Sequence, residues 1–496
     1  MYLQHKILSF FEGDRGCIYD ARGEKIPRVE LRRQYGAIRA FIQNHFRRGA
    51  RVAISLPYSH PYLLCIYACM ESGVTYIPLQ PEWPTQRIEQ IRRISEFDFL
   101  VNSANLAEIL ATEESGGPLL PRDVEPELPL YIMFTSGTTG EPKGVMIQRS
   151  AYENFLRWMD EYFVTIGADD RMLMVTRFTF DIVGIDIGLL VLRQLHLSIS
   201  GYGGNPYRLA AEIQRHEITC LNTVPNNGML LMDDEILSRA DLACVRHLML
   251  GGARFPHALL SRIRERMSPA LRVYNFYGPT EATIYSHVHR LDGSIDAHHH
   301  DGNVTIGSPI SNVSCLLVDP EGNRSERPYT EGELLIGGVQ IMLGYCNDPG
   351  STRRAVESLA DVRYYHTGDL AFFDTTARYY IAGRMDETIK RRGYRVNLLD
   401  IDAYIMRLAN VKDCMTLAYP DTKAENVLLA VIIPSAPVTR EVVSERMRSV
   451  LPDHQIPDFV EFLEAFPLNN SGKVNRKELA AMFEAKVRSR LEARSS

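Results

Sequence analysis

The chain has 496 residues, 45% hydrophobic and 23% charged, a globular balance in a length too great for one ordinary domain. Its formal net charge of −6 supplies no basic field for nucleic acid. No apolar run, that at 62–70 included, approaches the ~20 residues that span a bilayer, so no membrane partner is expected.

The opening MYLQHKILSFFEG lacks the basic start and long apolar stretch of a secretory signal, which predicts a cytoplasmic protein. Residues 51–56 read as a strand, 59–72 as a helix and 74–78 as a strand, together a βαβ unit. Cys65 and Cys69 share a face of that helix. The eight cysteines include no Cys-x-x-Cys, so this pair is expected in the core rather than on a metal. Residues 112–129, rich in Pro, Gly and Glu, read as a linker. Apolar runs at 131–135, 218–224, 247–250 and 272–277 each end in a Gly, Pro or polar loop. This alternation predicts an α/β fold of helix-covered sheets, with ligands at the loops after the strands. Residues 292–303 (DGSIDAHHHDGN) form a polar loop whose His298, His299 and His300 are expected to be solvated. The basic run GRMDETIKRRGYR at 383–395 reads as a solvated face and a domain boundary. No internal repeats are present.

The densest chemical signal is TSGTTGEPKG at 135–144. Glycines let backbone N–H groups approach phosphate, hydroxyls donate further hydrogen bonds, and Lys143 adds a positive charge. The spacing is not GxxxxGK[ST], so this is a different phosphate loop.

That loop resembles the phosphate loop of the adenylate-forming superfamily, which includes acyl-CoA synthetases, luciferases and nonribosomal peptide synthetase adenylation domains. Further motifs resembling the family follow in order: PRVEL at 27–31, ESGVTYIPLQP at 71–81, FTFDIVGID at 178–186, NFYGPTEATI at 275–284, GELLIGG at 332–338, YHTGDLA at 365–371, GRMDETIKRRGYR, LPDHQIP at 451–457 and NNSGKVNR at 469–476. The resemblance covers nearly the whole chain. It implies a large N-terminal adenylation domain (1–385) with helix-covered sheets and a small mobile α+β C-terminal domain (386–496), hinged at Asp386. It implies ATP and Mg²⁺. By position, Thr135, Ser136, Gly137, Thr138, Thr139, Gly140 and Lys143 would hold the β- and γ-phosphates, and Asn275, Phe276, Tyr277 and Gly278 would also bind the nucleotide. Tyr277 would lie against the base, Thr280 would contact the α-phosphate, and Glu281 would hold Mg²⁺. Asp369 would accept the ribose hydroxyls and Arg384 would contact ribose and phosphate. Lys473 would bridge the substrate carboxylate and the α-phosphate. Each residue type suits its implied role, with carboxylates for hydroxyls and metal and cations for phosphate.

Asp181 chooses the branch. Before an apolar helix an Asp reads as an N-cap. In FTFDIVGID, however, the resemblance makes it the partner of a substrate α-ammonium, as in amino-acid adenylation domains. Alignment then places Ile182, Ile185, Asn222, Met249, Gly251, Phe276, Ile284 and Tyr285 around the substrate. The set is bulky and mostly apolar, with no charged member and only Gly251 small. It is similar to glycine-activating pockets, with alanine and cysteine next and serine open through Asn222. With twenty residues after Arg476, the chain resembles a free-standing enzyme such as the D-alanine–carrier protein ligases. Its acceptor would be the phosphopantetheine thiol of a separate carrier protein, or free CoA. Asn397 stands where such domains carry Glu, and Val183 where FDxS has Ser. The alternatives are an acyl- or aryl-CoA synthetase, which Asp181 opposes, and a catalytically silent binding protein. Lys143, Glu281, Asp369, Arg384 and Lys473 together oppose the latter.

Overall fold

Arg51–Ser55 and Thr75–Pro78 pair in parallel, Val52 opposite Tyr76, and helix His60–Ser72 connects them. All residues of that helix from Tyr62 on are buried, as a helix apolar on every side must be. Gly73 ends it at φ 73°, a left-handed conformation that glycine adopts without a Cβ penalty. Cys65 and Cys69 are fully buried here, and burial pushes the Cys65 thiol up to about 12. Both act as small hydrophobes.

The computed structural model describes residues 2–113, 124–136, 142–291, 299–300, 302–319, 321–385, 388–391, 394–420, 426–450, 455–468 and 474–495. The architecture is α/β. Chain contacts divide it into two compact units, Met1–Thr367 with Phe372–Tyr380, and Gly368–Ala371 with Ile381–Ser496. Asp386 lies outside the described residues. No described helix is long and apolar enough to cross a membrane.

The larger unit is built on sheets. One has six strands in the order Gly344–Tyr345, Pro142–Gln148, Pro129–Ser136, Thr75–Pro78, Arg51–Ser55 and Phe99–Asn102. A second has eight, in the order Cys17–Tyr19, His196–Ile199, Arg171–Met174, Cys220–Thr223, His247–Gly251, Arg272–Tyr277, His287–Leu291 and Ser308–Pro309. It is parallel up to Arg272–Tyr277 and antiparallel beyond. In a third, Val313–Val318, Gly332–Gly338 and Val362–Phe373 are successive neighbours. Of the expected polar loop, His299–His300 instead forms a short strand paired with Asn303–Val304. Ring contacts accompany the pairing: His299 lies 4.4 Å from His257, and His300 meets the edge of Phe372 at 4.8 Å. His298 lies outside the described residues.

In the smaller unit, Val411–Pro420, Asn426–Pro434 and Phe459–Phe462 form a three-stranded sheet. Along the middle strand, Leu428, Ala430 and Ile432 enter one core, and Leu429, Val431 and Ile433 the other. A strand covered on both faces reads as a continuous apolar run. The basic run at 383–395 is not wholly a solvated face. Arg391 is 3% exposed, donating to Asp458 Oδ2 at 2.8 Å and to the Ile456 carbonyl at 2.7 Å.

Candidate active site

Asn222, Met249, Gly251 and Phe276 share one face of the eight-stranded sheet. The register sets Met249 beside Asn222 and Gly251 beside Phe276. Leu221, Leu248 and Leu250 alternate to the opposite face and join another core. Helix Val183–Arg193 lies over the first face, gripped by Tyr152 Oη on the Gly184 carbonyl (3.0 Å) and Tyr67 Oη on that of Ile187 (2.7 Å). Ile182 is its N-cap residue and makes no side-chain cap bond. Asp181 therefore precedes the cap position, half-buried, with its carbonyl accepting from Gly184 N at 2.7 Å.

The side chains on this face pack against one another. Phe276 and Tyr285 stack at 4.8 Å, 11° from parallel. A Cβ on Gly184 would come within 2.3 Å of Ile284 Cδ1, one on Gly251 within 2.3 Å of Tyr285 Oη, and one on Gly252 within 2.5 Å of Ile182 Cδ1. Asn222, Ile185, Met249 and Tyr285 have no exposure to solvent. Burial raises the Tyr285 phenol well above its ordinary range.

Asp186 is an acid outside the lining set that contacts it through Asn222. It is fully buried, and its Oδ2 accepts from Asn222 Nδ2 at 3.0 Å. The same amide nitrogen donates to the Ile182 carbonyl at 3.2 Å. Asn222 thus spends its donor group on the scaffold. Burial holds the Asp186 carboxyl well above the usual carboxylate range, which favours the neutral acid. Stability then depends on pH. The unfolded chain ionises Asp186 near pH 4 and the folded chain does so only at higher pH, so stability falls as pH rises from about 4 toward the folded value. Asp186→Asn, a neutral near-isostere, is expected to melt higher than the wild type at pH 8, with the gap closing by pH 4. Thermal melts across that range test it. A constant gap would mean that Asp186 is ionised in the fold.

The loop after Arg272–Tyr277 carries Thr280, Glu281 and Ile284. Gly278 is forced by space, since a Cβ there would lie 2.6 Å from Tyr285 Cα. Thr283 and Ile284 have φ of 58° and 70°, unfavourable for β-branched residues. Gln340 holds them there. Its buried Nε2 donates to the carbonyls of Ala282, Thr283 and Tyr285 at 3.1–3.3 Å, and Thr283 Oγ1 donates to the Gln340 carbonyl at 2.6 Å. Asn275 is also committed to scaffolding: it is buried, and its Nδ2 donates to the Thr305 carbonyl at 2.8 Å. The Tyr277 ring meets His287 edge-on at 5.7 Å. Burial pulls the His287 pKa down to about 3, so this neighbour is uncharged near neutral pH.

Pro129–Ser136 and Pro142–Gln148 form a hairpin with Thr135 opposite Lys143. Gly137, Thr138, Thr139 and Gly140 lie outside the described residues. Lys143 Nζ sits 5.0 Å from the centre of the Tyr345 ring, and Tyr345 Oη donates to Glu281 Oε1 at 2.8 Å. In the smaller unit Arg384 Nη1 meets Asp369 Oδ1 at 3.1 Å. Gly368, at φ 67°, permits this approach, because a Cβ would stand 3.1 Å from Arg384 Nη2. Leu468 and Val474 pair antiparallel; Lys473, just before Val474, lies outside the described residues. Sequence reasoning missed Asp186, Gln340 and Tyr345. Asp186 lies within FTFDIVGID, and a second acid in an apolar helix was its signal. Gln340 and Tyr345 lie beyond GELLIGG, in a stretch that carried no sign of its contact with the 280–285 loop.

Residues 12–346 match the AMP-binding enzyme family, and residues 400–473 its C-terminal domain. The chain belongs to the AMP-binding enzyme family. Within it, gramicidin S synthase 2 of Brevibacillus brevis is 30% identical over 446 residues, 86% of this chain and 10% of that protein. The chain thus spans about a tenth of the length of that synthase. The dapdiamide synthesis protein DdaD of Enterobacter agglomerans is 28% identical over 477 residues, 94% of this chain and 79% of that protein. Among solved structures, Klebsiella oxytoca NpsA in complex with 3-hydroxyanthranilyl-AMSN superimposes with a TM-score of 0.83 at 20% identity, covering 97% of this chain and 99% of that one. A four-domain nonribosomal peptide synthetase bound to AMP and glycine gives 0.80 at 22%, covering 96% and 36%. At such identity these establish the fold: the adenylate-forming α/β architecture with a large N-terminal and a small C-terminal domain.

Proposed function

We propose that this AMP-binding family member activates a small α-amino acid with ATP. The reading rests on one observation, the crowded and solvent-free face formed by Asn222, Met249, Phe276, Ile284 and Tyr285, covered by helix Val183–Arg193, which Asp181 precedes in sequence. Glycine fits best, then alanine, cysteine and serine. Asp181 pairs with the α-ammonium, a carboxylate being the natural partner in a partly dry site. The substrate carboxylate oxygen attacks the α-phosphorus, forming a P–O bond as the bond to pyrophosphate breaks. Lys143, with Thr135, Ser136, Thr138 and Thr139 and the backbone of Gly137 and Gly140, holds the departing phosphates. Thr280 meets the α-phosphate, Tyr277 lies against adenine, and Asp369 and Arg384 hold the ribose side. Lys473 offsets the repulsion between carboxylate and phosphate.

Glu281 suits Mg²⁺. It is a half-buried carboxylate with one oxygen already fixed by Tyr345, and Mg²⁺ commonly takes one or two protein carboxylates and completes its shell with phosphate and water. The ion would neutralise charge on the triphosphate. In this reading the larger domain is 1–385, the mobile domain is 386–496, and rotation about Asp386 brings in the phosphopantetheine thiol of a separate carrier protein. We place the reaction in the cytoplasm, where the eight free cysteines stay reduced.

Amino-acid-dependent ATP–pyrophosphate exchange tests the substrate assignment. With all common amino acids, benzoate and octanoate offered singly, glycine or another small amino acid should give the fastest exchange. A best substrate without an amino group rejects the assignment and points to an acyl- or aryl-CoA synthetase. No exchange with any acid points to a silent binding protein.

A further inference from the structure

Tyr345 joins two parts of the nucleotide site that lie far apart in sequence. Its hydroxyl donates to Glu281 Oε1 at 2.8 Å, and its ring lies 5.0 Å from the Lys143 ammonium. The backbone around it is tied at both ends. Tyr345 pairs with Val145 and Gly344 with Met146, so Gly344–Tyr345 edges the hairpin that carries Lys143. Cys346 N donates to the Gly144 carbonyl at 2.7 Å, and Met342 N to the Glu281 carbonyl at 2.8 Å. The residue is 7% exposed. One buried residue thus touches an anion and a cation through different atoms: hydroxyl to carboxylate, ring face to ammonium.

From this arrangement we infer that Tyr345 is a positioning residue. It fixes the Glu281 carboxylate and the Lys143 ammonium relative to each other and thereby sets the affinity for a divalent metal carried on a triphosphate. The inference rests on the reading of Glu281 as the metal carboxylate and Lys143 as a phosphate ligand. A hydrogen bond to Oε1 restricts the carboxylate rotamer and leaves Oε2 to face a cation. The aromatic face attracts the ammonium by its quadrupole without consuming its three N–H donors, which stay available to phosphate. Partners that orient a metal-binding carboxylate from behind typically contribute 10–100-fold in metal affinity.

The two contacts are separable by substitution in the full-length chain. Tyr345→Phe keeps the ring under Lys143 and removes the hydroxyl; Tyr345→Leu removes both. The probe is Mn²⁺, titrated by electron paramagnetic resonance in the presence of an ATP analogue with a methylene group between the α- and β-phosphorus. Glu281→Gln serves as the reference and thermal melting as the folding control. For Tyr345→Phe, the Mn²⁺ dissociation constant is expected to rise roughly 10-fold, and pyrophosphate exchange should recover as Mg²⁺ is raised, with KM for ATP at saturating metal near the wild-type value. Tyr345→Leu should in addition bind the metal-free analogue more weakly. Wild-type Mn²⁺ affinity in Tyr345→Phe, with Glu281→Gln weakened, overturns the inference and leaves the metal reading of Glu281 standing. Wild-type affinity in both variants overturns the metal reading and the inference together.

Discussion

Alanine at Lys473 is expected to slow amino-acid-dependent pyrophosphate exchange by roughly 10²–10³-fold, the scale for losing one preorganised charge stabiliser. Adenylation brings a carboxylate against a phosphate, and a fixed ammonium between them stabilises the charge that both share in the transition state. The proposed two-pose cycle makes the loss specific to one step. Rotation about Asp386 would carry Lys473 away before thioester formation, so transfer from a supplied aminoacyl-adenylate should be far less affected. Asp386→Pro should give the reverse pattern, with exchange intact and thioester formation impaired, because proline fixes φ where hinge motion needs it free. Both half-reactions are assayed separately on both variants. Equal losses in the two steps for Lys473→Ala would make the lysine structural, or confine the enzyme to one pose.

Asp181→Ala should nearly abolish amino-acid activation while leaving ATP binding in place. It strands an ammonium in a partly dry site, which costs about 2–5 kcal/mol, roughly 30- to 5,000-fold in kcat/KM. The competing explanation is a helix cap, since Asp181 directly precedes Ile182 at the start of Val183–Arg193. A variant with wild-type turnover at subsaturating amino acid would strip Asp181 of its ammonium-binding role.

The alternation of apolar runs made much of the α/β core legible from residues alone. The strand expected at 272–277 is Arg272–Tyr277, and that expected at 51–56 is Arg51–Ser55, because β-branched and aromatic runs bounded by turn residues leave little ambiguity. What stayed hidden was how distant segments meet. Arg391 reads as one more charge in a basic run until Asp458, 67 positions away, receives it. His299 is exposed as expected, but the ring contacts of His299 with His257 and of His300 with Phe372 had no sign in the sequence. At the site, the pocket set came from family alignment, and four of its members, Asn222, Met249, Gly251 and Phe276, lie on neighbouring strands of one sheet. The residues that hold the set in place, Asp186 and Gln340, escaped notice because neither belongs to the aligned lining positions.

Gln340 lies outside the 280–285 loop yet dictates its path, through a single amide nitrogen shared among three carbonyls. Backbone shape and side-chain identity are thereby uncoupled at Ile284 and Tyr285. At Ile284 the uncoupling has a direction. The residue sits at φ 70°, where a β-branched side chain is strained and Asn or Gly is at ease, and it also fills space against Gly184. Shortening it would relax the chain and open room in the same step. If Ile284 lines the proposed amino-acid site, a shift toward a larger substrate would therefore start with a gain in backbone energy to set against the lost packing, a lower cost than at lining positions without a positive φ.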